Sequence, residues 1–269
     1  MGGPLFDRFG DWTAQADGIL GYSIRELCVD DPRSELGLTQ FTQPSLFVVN
    51  AMTYRARIED GAAPPQYVAG HSLGEYNALL AAGAFDFATG LTLVKRRGAL
   101  MGQVSGGGMA AIIGMEPARI REILETTDEG RRLDIANFNS FEQTVIAGPT
   151  ADIAAVKPQF EGAGVRLFVP LKVSAPFHSR YMREPQAEFA SFLADHGFSA
   201  PAIPVIANAT AAPYSADAVR ETLARQIGSA VRWLDSMLFL MDRGVTAFEE
   251  VGPGSVLAKL VVQIKKKRT

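Results

Sequence analysis

Tyr67-Val68-Ala69 is a short apolar run that passes directly into Gly70-His71-Ser72-Leu73-Gly74. The run reads as a buried strand, and a helix is expected from about Leu73 to Ala82. A strand that turns at once into a helix needs a tight bend. Glycines on either side of the serine permit it and push Ser72 Oγ out above the sheet. The new helix begins at the same spot, so the Leu73 N–H can stabilise an oxyanion there. In a chain with 26 glycines the pattern alone is weak. The strand before it and the helix after it give it the meaning of a nucleophile turn.

A nucleophilic serine needs a base, and the chain has 3 histidines. His71 adjoins Ser72, where neighbouring side chains diverge, so it reads as structural. His196 precedes Gly197 and reads as a helix C-terminal cap facing solvent. His178 follows Pro176-Phe177 at a junction between two parts of the chain. It is the candidate base, with a packed interfacial histidine as the alternative. No acid is obviously placed to complete a triad. Asp235, Asp242, Glu249 and Glu250 are candidates by position only. A Ser–His dyad oriented by a backbone carbonyl would serve the same purpose. Arg97 could grip a carboxylate through two parallel N–H···O bonds, with Arg96 as a competitor. From the residues alone, the reading of Arg97 as an exposed member of the Lys95-Arg96-Arg97 cluster is slightly favoured.

The rest of the chain supplies the frame. Helices are expected from Leu5 to Leu27, broken near Gly18 and Gly21, and over Ser45 to Arg57, with Pro44 suited to a first turn. Asp86 caps a helix carrying Phe87, Leu91, Val94 and Met101 at helical spacing. Ser105-Gly106-Gly107-Gly108 breaks the rhythm. Beyond it come a strand (109–115), a helix (117–125), strands (133–137 and 143–147), a helix (151–162) and a strand (165–169). That order is the β-α-β-β-α-β ferredoxin-like pattern. Helices at 180–195, 216–226 and 233–243 then flank strands at 204–207 and 247–251, and a last helix comes after Gly252-Pro253-Gly254-Ser255. The expected fold class is α/β: an α/β-hydrolase-like large subdomain with a parallel sheet (residues 1–105 and 174–269) and an inserted ferredoxin-like small subdomain (residues 106–173).

The 26 basic and 29 acidic residues leave a net charge of -3, which argues against nucleic acid as a partner. The run Lys265-Lys266-Lys267-Arg268 reads as a solvated tail, or as a contact for an acidic partner. Cys28 is the 1 cysteine, expected to pack on a helix face, so no intrachain disulfide forms and a reducing, cytoplasmic setting is expected. No membrane span or secretory segment is read in the chain.

Gly70-His71-Ser72-Leu73-Gly74-Glu75-Tyr76 resembles the active-site motif of malonyl-CoA:acyl-carrier-protein transacylases and polyketide-synthase acyltransferases. So do Thr42-Gln43-Pro44, Arg96-Arg97-Gly98-Ala99-Leu100-Met101, Asn137-Phe138-Asn139-Ser140 and Gly252-Pro253-Gly254-Ser255-Val256-Leu257. The likeness runs over nearly the whole chain and is greatest to the free-standing acyltransferases of trans-acyltransferase polyketide synthases. It implies that Ser72 takes the acyl group from coenzyme A, that His178 is the general base, and that Arg97 pairs with the malonyl carboxylate. Gln226 matches the residue whose backbone carbonyl orients the histidine. Leu73, Gln43, Asn139 and His71 fall at positions lining the site, and the bulky Phe177 would crowd an α-methyl group, favouring malonyl over methylmalonyl. The resemblance further implies no bound cofactor and no metal, malonyl-CoA and a phosphopantetheinylated acyl carrier protein as partners, and a monomer. The rival readings are an acyl hydrolase of the same fold that strips carrier proteins, and a non-catalytic copy.

Family members open with a buried strand and a Gly-Gln-Gly-Ser-Gln loop, whereas this sequence starts at Met1-Gly2-Gly3-Pro4-Leu5-Phe6-Asp7 and matches the segment after that loop. The expectation is a central sheet short of one strand, with unpaired buried backbone groups costing ~1–3 kcal/mol each, and an oxyanion pocket short of its glutamine. A start codon placed too late is the favoured cause; a truncated chain and an impaired copy are the alternatives. A version extended upstream is expected to be more stable and more active.

Overall fold

The computed structural model describes residues 1–268. Four helices open the chain: α1 (Gly3–Arg8), α2 (Gly10–Leu20), α3 (Ile24–Val29) and α4 (Thr39–Glu59). β1 (Val68–Ala69), α5 (Gly74–Ala81) and α6 (Phe87–Gly102) come next. Then come β2 (Gly107–Ile113), α7 (Pro117–Glu125), α8 (Asp128–Arg131), β3 (Asp134–Ser140), β4 (Gln143–Pro149), α9 (Thr150–Gly162) and β5 (Leu167–Pro170). A 3-10 turn at Arg180–Met182 leads into α10 (Arg183–Leu193), β6 (Val205–Ile206), α11 (Val219–Gln226), α12 (Trp233–Asp242) and α13 (Val256–Arg268).

The chain is of the α/β class. β1 pairs parallel with β6, Val68 opposite Val205 and Ala69 opposite Ile206. β2 to β5 form a separate antiparallel sheet in the order β3-β4-β2-β5. Within that sheet the first strand in the chain lies between the third and the fourth, which is the ferredoxin-like arrangement. Alternation along β2 explains its two faces. Ala110 and Ile112 pack under α7 and α9 with Ile120, Ile123, Val156 and Phe160. Met109 and Ala111 face the other way, into a cluster that includes Phe177. The sheet therefore covers helices on one side and the residue beside His178 on the other.

The larger part is built around α4 packed on α6. Phe47, Val48 and Met52 of α4 and Leu91, Leu93 and Val94 of α6 are buried in one cluster with residues of α5, α10 and α11. Asp86 caps α6 as expected, its Oδ1 accepting from the Thr89 N–H at 2.8 Å.

Several elements depart from the sequence expectation. α2 runs through Gly18 and ends at Gly21, whose φ of 84° makes the left-handed cap. Gly18 is exposed, and its cost of about 1 kcal/mol is outweighed by the burial of Ala16 and Leu20 beside it. α4 starts at Thr39, so Pro44 lies inside the helix and not in its first turn. It removes one i to i−4 bond, and packing of the buried residues after it carries the helix past the gap. Residues 247–251, expected as a strand, form no ladder among the described residues. They border a cavity of about 1510 Å³ that β1 also borders. The expected helix at 180–195 is divided between the 3-10 turn and α10. The basic run is the last turn of α13: Lys267 pairs with Glu142 at 2.7 Å and Arg268 with Asp242 at 2.5 Å, while Lys265 Nζ donates to Thr246 O at 2.6 Å. Cys28 is buried on α3.

Candidate active site

β1 and β6 run parallel, and both point their C-terminal ends at the same place, the usual position of a site in an open α/β sheet. β1 delivers the turn that carries Ser72. β6 delivers Asn208. Ser72 sits at φ 52°, a left-handed conformation that is strained for a residue with a Cβ. Both of its backbone polar groups are held by side-chain amides. Its N–H donates to Asn208 Oδ1 at 2.7 Å, and its C=O accepts from Gln226 Nε2 at 2.7 Å. The two glycines of the motif differ in function. A Cβ on Gly70 would lie 1.9 Å from the Gly74 carbonyl carbon, whereas a Cβ on Gly74 would meet nothing within 4 Å. The tightness of the bend therefore depends on Gly70 alone.

Ser72 Oγ lies 2.7 Å from His178 Nε2. His178 is itself at φ 58° and is buried. Its Nδ1 faces the carbonyl oxygens of Gln226 at 3.0 Å and Ser229 at 3.1 Å. Two acceptors at Nδ1 hold the proton there, which leaves Nε2 free to accept from the Ser72 hydroxyl. Burial, then the positive charge of Arg97, then His71, push the His178 pKa down to about 3. The imidazole is neutral at ordinary pH.

Arg97 is 1% exposed, although it comes after two other basic residues. Lys95 Nζ reaches Ile19 O, and Arg96 pairs with Glu188 on the surface. Arg97 turns inward and donates to Ser72 Oγ at 3.0 Å, Gln226 Oε1 at 3.1 Å and Gln43 Oε1 at 2.6 Å. Its guanidinium lies 5.4 Å from the centre of the Tyr76 ring, and its Nε has no hydrogen-bond partner. No carboxylate stands within ion-pair distance of it among the described residues.

The remaining candidates divide into near and peripheral. Leu73 is the N-cap of α5, directly after Ser72. His71 Nε2 bonds to Asn139 Oδ1 at 2.8 Å and its ring lies 5.8 Å from that of Trp233, so its side chain faces β3 and α12. Phe177 is half-buried where the sheet of β2 to β5 meets the larger part. His196 Nδ1 donates to Phe192 O at 2.9 Å, at the end of α10. None of the positional acids approaches His178. Asp235 pairs with Arg232, Asp242 with Arg268 and Glu249 with Arg57, and Glu250 accepts from the N–H groups of Leu257 and Ala258. Sequence reasoning assigns no role to Asn208 or Glu75. Asn208 follows the apolar run Val205-Ile206-Ala207, and Glu75 is a charged residue buried on α5 beside Tyr76, Ala78 and Leu79; a polar group at such a place is the signal that could have found them.

Residues 8–268 match the acyl transferase domain family. The chain belongs to that family. It is 53% identical over 266 residues to a polyketide biosynthesis malonyl CoA-acyl carrier protein transacylase, BaeC, of Bacillus velezensis, covering 98% of this chain and 92% of the relative. Among solved structures it is similar to a malonyl CoA-acyl carrier protein transacylase from Burkholderia pseudomallei, with a TM-score of 0.95, 51% identity, and 99% of this chain and 93% of that one covered. A malonyl-transacylase solved in complex with a type II PKS acyl-carrier protein (PlMCAT with holo AntF) is also similar, with a TM-score of 0.92, 35% identity, and coverage of 98% and 85%. The acyl transferase family thus holds the chain over nearly its full length.

This geometry has two testable outcomes. Gly70→Ala is expected to abolish labelling of Ser72 by an uncharged phosphonofluoridate probe, whereas Gly74→Ala retains it and gains roughly 0.4–1 kcal/mol of stability in urea unfolding. With the same probe, the labelling rate should stay flat as pH falls through 6.5, because the lowered pKa keeps His178 unprotonated there. The rate should drop only as pH approaches the lowered pKa of about 3. A limb at the ordinary histidine pKa would show that His178 is solvated.

Proposed function

We propose that this acyl transferase moves a malonyl group from malonyl-CoA to the phosphopantetheine thiol of an acyl carrier protein, through an ester on Ser72, in polyketide or fatty acid synthesis. The observation that carries the reading is Arg97: a buried cation that donates to Ser72 Oγ at 3.0 Å and has no carboxylate partner of its own among the described residues. A substrate that brings a carboxylate to within one acyl length of the nucleophile supplies the missing charge.

In the first half-reaction Ser72 Oγ attacks the thioester carbonyl carbon, and His178 Nε2 takes its proton. The Leu73 N–H stabilises the oxyanion. The C–S bond breaks, the proton passes from His178 to the departing sulfur, and coenzyme A leaves. In the second half the carrier thiol gives its proton to His178 and attacks the ester. The C–O bond breaks, and the proton returns to Ser72 Oγ. Arg97 contributes twice. It holds the carboxylate, with Gln43 bracing its other nitrogen. It also depresses the His178 pKa. A carboxylate seated on Arg97 offsets that positive charge, so binding malonyl makes His178 a stronger base as the reaction begins.

The Gln226 carbonyl takes the place of a triad acid. Phe177, beside His178, is assigned to excluding an α-methyl group, and Asn139 and His71 to lining the site. Residues 1–105 and 174–269 are assigned to the catalytic part and residues 106–173 to the insert. One chain is the proposed working unit, since Ser72, His178, Arg97 and Gln226 all come from it. A cytoplasmic setting is proposed from the single buried thiol, and no helix of the described residues is long and apolar enough to cross a membrane.

Incubation with radiolabelled malonyl-CoA and a phosphopantetheinylated carrier protein tests the function. Label is expected on Ser72 and then on the carrier. Release of free malonate without carrier labelling would make the chain a hydrolase, and absence of label would make it non-catalytic. Arg97→Ala is expected to lower kcat/KM for malonyl-CoA relative to acetyl-CoA on the order of 100-fold, the worth of a charge-assisted pair. Equal losses for both donors would remove Arg97 from carboxylate recognition.

A further inference from the structure

Glu75 is a buried charge that the transfer chemistry does not use. It lies on the first turn of α5 and is 0% exposed. Three donors converge on it. The Tyr214 hydroxyl donates to Oε1. The Asn208 backbone N–H donates to Oε2 at 3.1 Å, and Gln226 Nε2 donates to the same oxygen at 3.0 Å. Two of these residues are the ones that hold the nucleophile. Asn208 Oδ1 takes the Ser72 N–H, and Asn208 Nδ2 donates to Gly70 O at 2.6 Å. Gln226 Nε2 is shared between Glu75 and the Ser72 carbonyl. The backbone carbonyl of the same Gln226 receives the His178 Nδ1–H.

One carboxyl group therefore holds both residues whose side-chain amides tether the strained turn, and one of them also carries the carbonyl that faces His178. The turn at Ser72 persists only while its surroundings over-determine it. An apolar side chain of the same volume would fill the space, but the Asn208 N–H would lose its acceptor and Gln226 would lose one of the two oxygens that orient its amide.

We propose that Glu75 is a positioning residue for acyl transfer: through Asn208 and Gln226 its carboxyl group fixes both the Ser72 turn and the carbonyl that orients His178. The proposal rests on Ser72 being the nucleophile and His178 its base. Burial pushes the carboxyl up to about 7, against the hydrogen bonds from Tyr214, Gln226 and Asn208 and the charge of Arg97. With a proton on Oε1 facing Tyr214, Oε2 still accepts from both amides. Acceptor geometry, not charge, does the positioning, so a glutamine reproduces it.

The test compares Glu75→Gln, Glu75→Leu and Tyr214→Phe in two assays, single-turnover malonylation by malonyl-CoA and phosphonofluoridate labelling of Ser72, alongside thermal unfolding. Glu75→Gln should stay within about threefold of the unmodified chain, whereas Glu75→Leu slows both reactions about a hundredfold with little change in KM. Tyr214→Phe lowers the unfolding temperature without slowing either reaction, because its hydroxyl touches neither amide tether. Glu75→Leu as fast as wild type per folded molecule, or a rise in KM alone, overturns the proposal. So does Tyr214→Phe losing rate in step with stability. Should Glu75→Leu fail to fold, Glu75→Met, which keeps the length of the side chain and removes both acceptor oxygens, takes its place; slowed labelling with a folded chain supports the proposal and unchanged labelling overturns it. If wild type takes the probe and not malonyl-CoA, the function reading fails while the probe still judges Glu75.

Discussion

A guanidinium is buried here with no carboxylate in ion-pair contact among the described residues, and much of the interior is arranged to tolerate it. Removing a cation from water costs several kcal/mol unless its donors are met. Arg97 is met by neutral oxygens, those of Gln43, Gln226 and Ser72, and by the face of Tyr76. That choice propagates. Gln226 must turn Oε1 toward Arg97, so its Nε2 points the other way, at the Ser72 carbonyl and Glu75. The amide orientation that holds the Ser72 carbonyl is thus dictated by the cation. The same charge helps to keep His178 deprotonated. The side-chain orientation of Gln226, the hold on the Ser72 carbonyl and the lowered pKa of His178 all meet at this one buried cation.

The sheet of β2 to β5 is part of this arrangement and not an appendage. Its edge strand β3 is stitched to the segment after α11: the Phe138 N–H donates to Val231 O at 2.9 Å, and the Val231 N–H to Ala136 O at 2.8 Å. Two residues earlier that segment offers the Ser229 carbonyl to His178. On the other side of His178, the Arg180 N–H donates to Asp134 Oδ2 at 2.7 Å and the Arg180 guanidinium grips the same carboxylate. His178 is therefore held between two attachments of one sheet to the rest of the protein. This explains how a residue at positive φ keeps a fixed ring direction.

The elements with strong local signals were legible in the sequence. Pro117 to Glu125 is a helix over that same range, Asp86 caps α6, and the order of strands and helices after Gly106 gives the four-stranded sheet. The burial of Arg97 was legible in principle. Gly90, Val94, Arg97 and Met101 lie on one buried face of α6, and that spacing turns Arg97 inward while Arg96 faces solvent. The basic neighbours obscured it. Residues 247–251 have strand composition but no neighbour to pair with among the described residues, and pairing is a tertiary matter that composition does not carry. Pro44 misled because a proline is a local stop signal, overridden here by packing along α4. Glu75 and Asn208 stayed silent because their importance is relational. Each matters through the amide it holds, across separations of 151 and 136 residues.

Those separations set a timetable. The Ser72 carbonyl and the Gln226 amide that donates to it are 154 positions apart, with the four-stranded sheet made in between. On a ribosome adding roughly 5–20 residues per second, Ser72 is synthesised many seconds before α11 can emerge to bring the Gln226 carbonyl to His178. During that interval Ser72 is an ordinary alcohol. The contacts around Ser72 and His178 are complete only when α11 is in place.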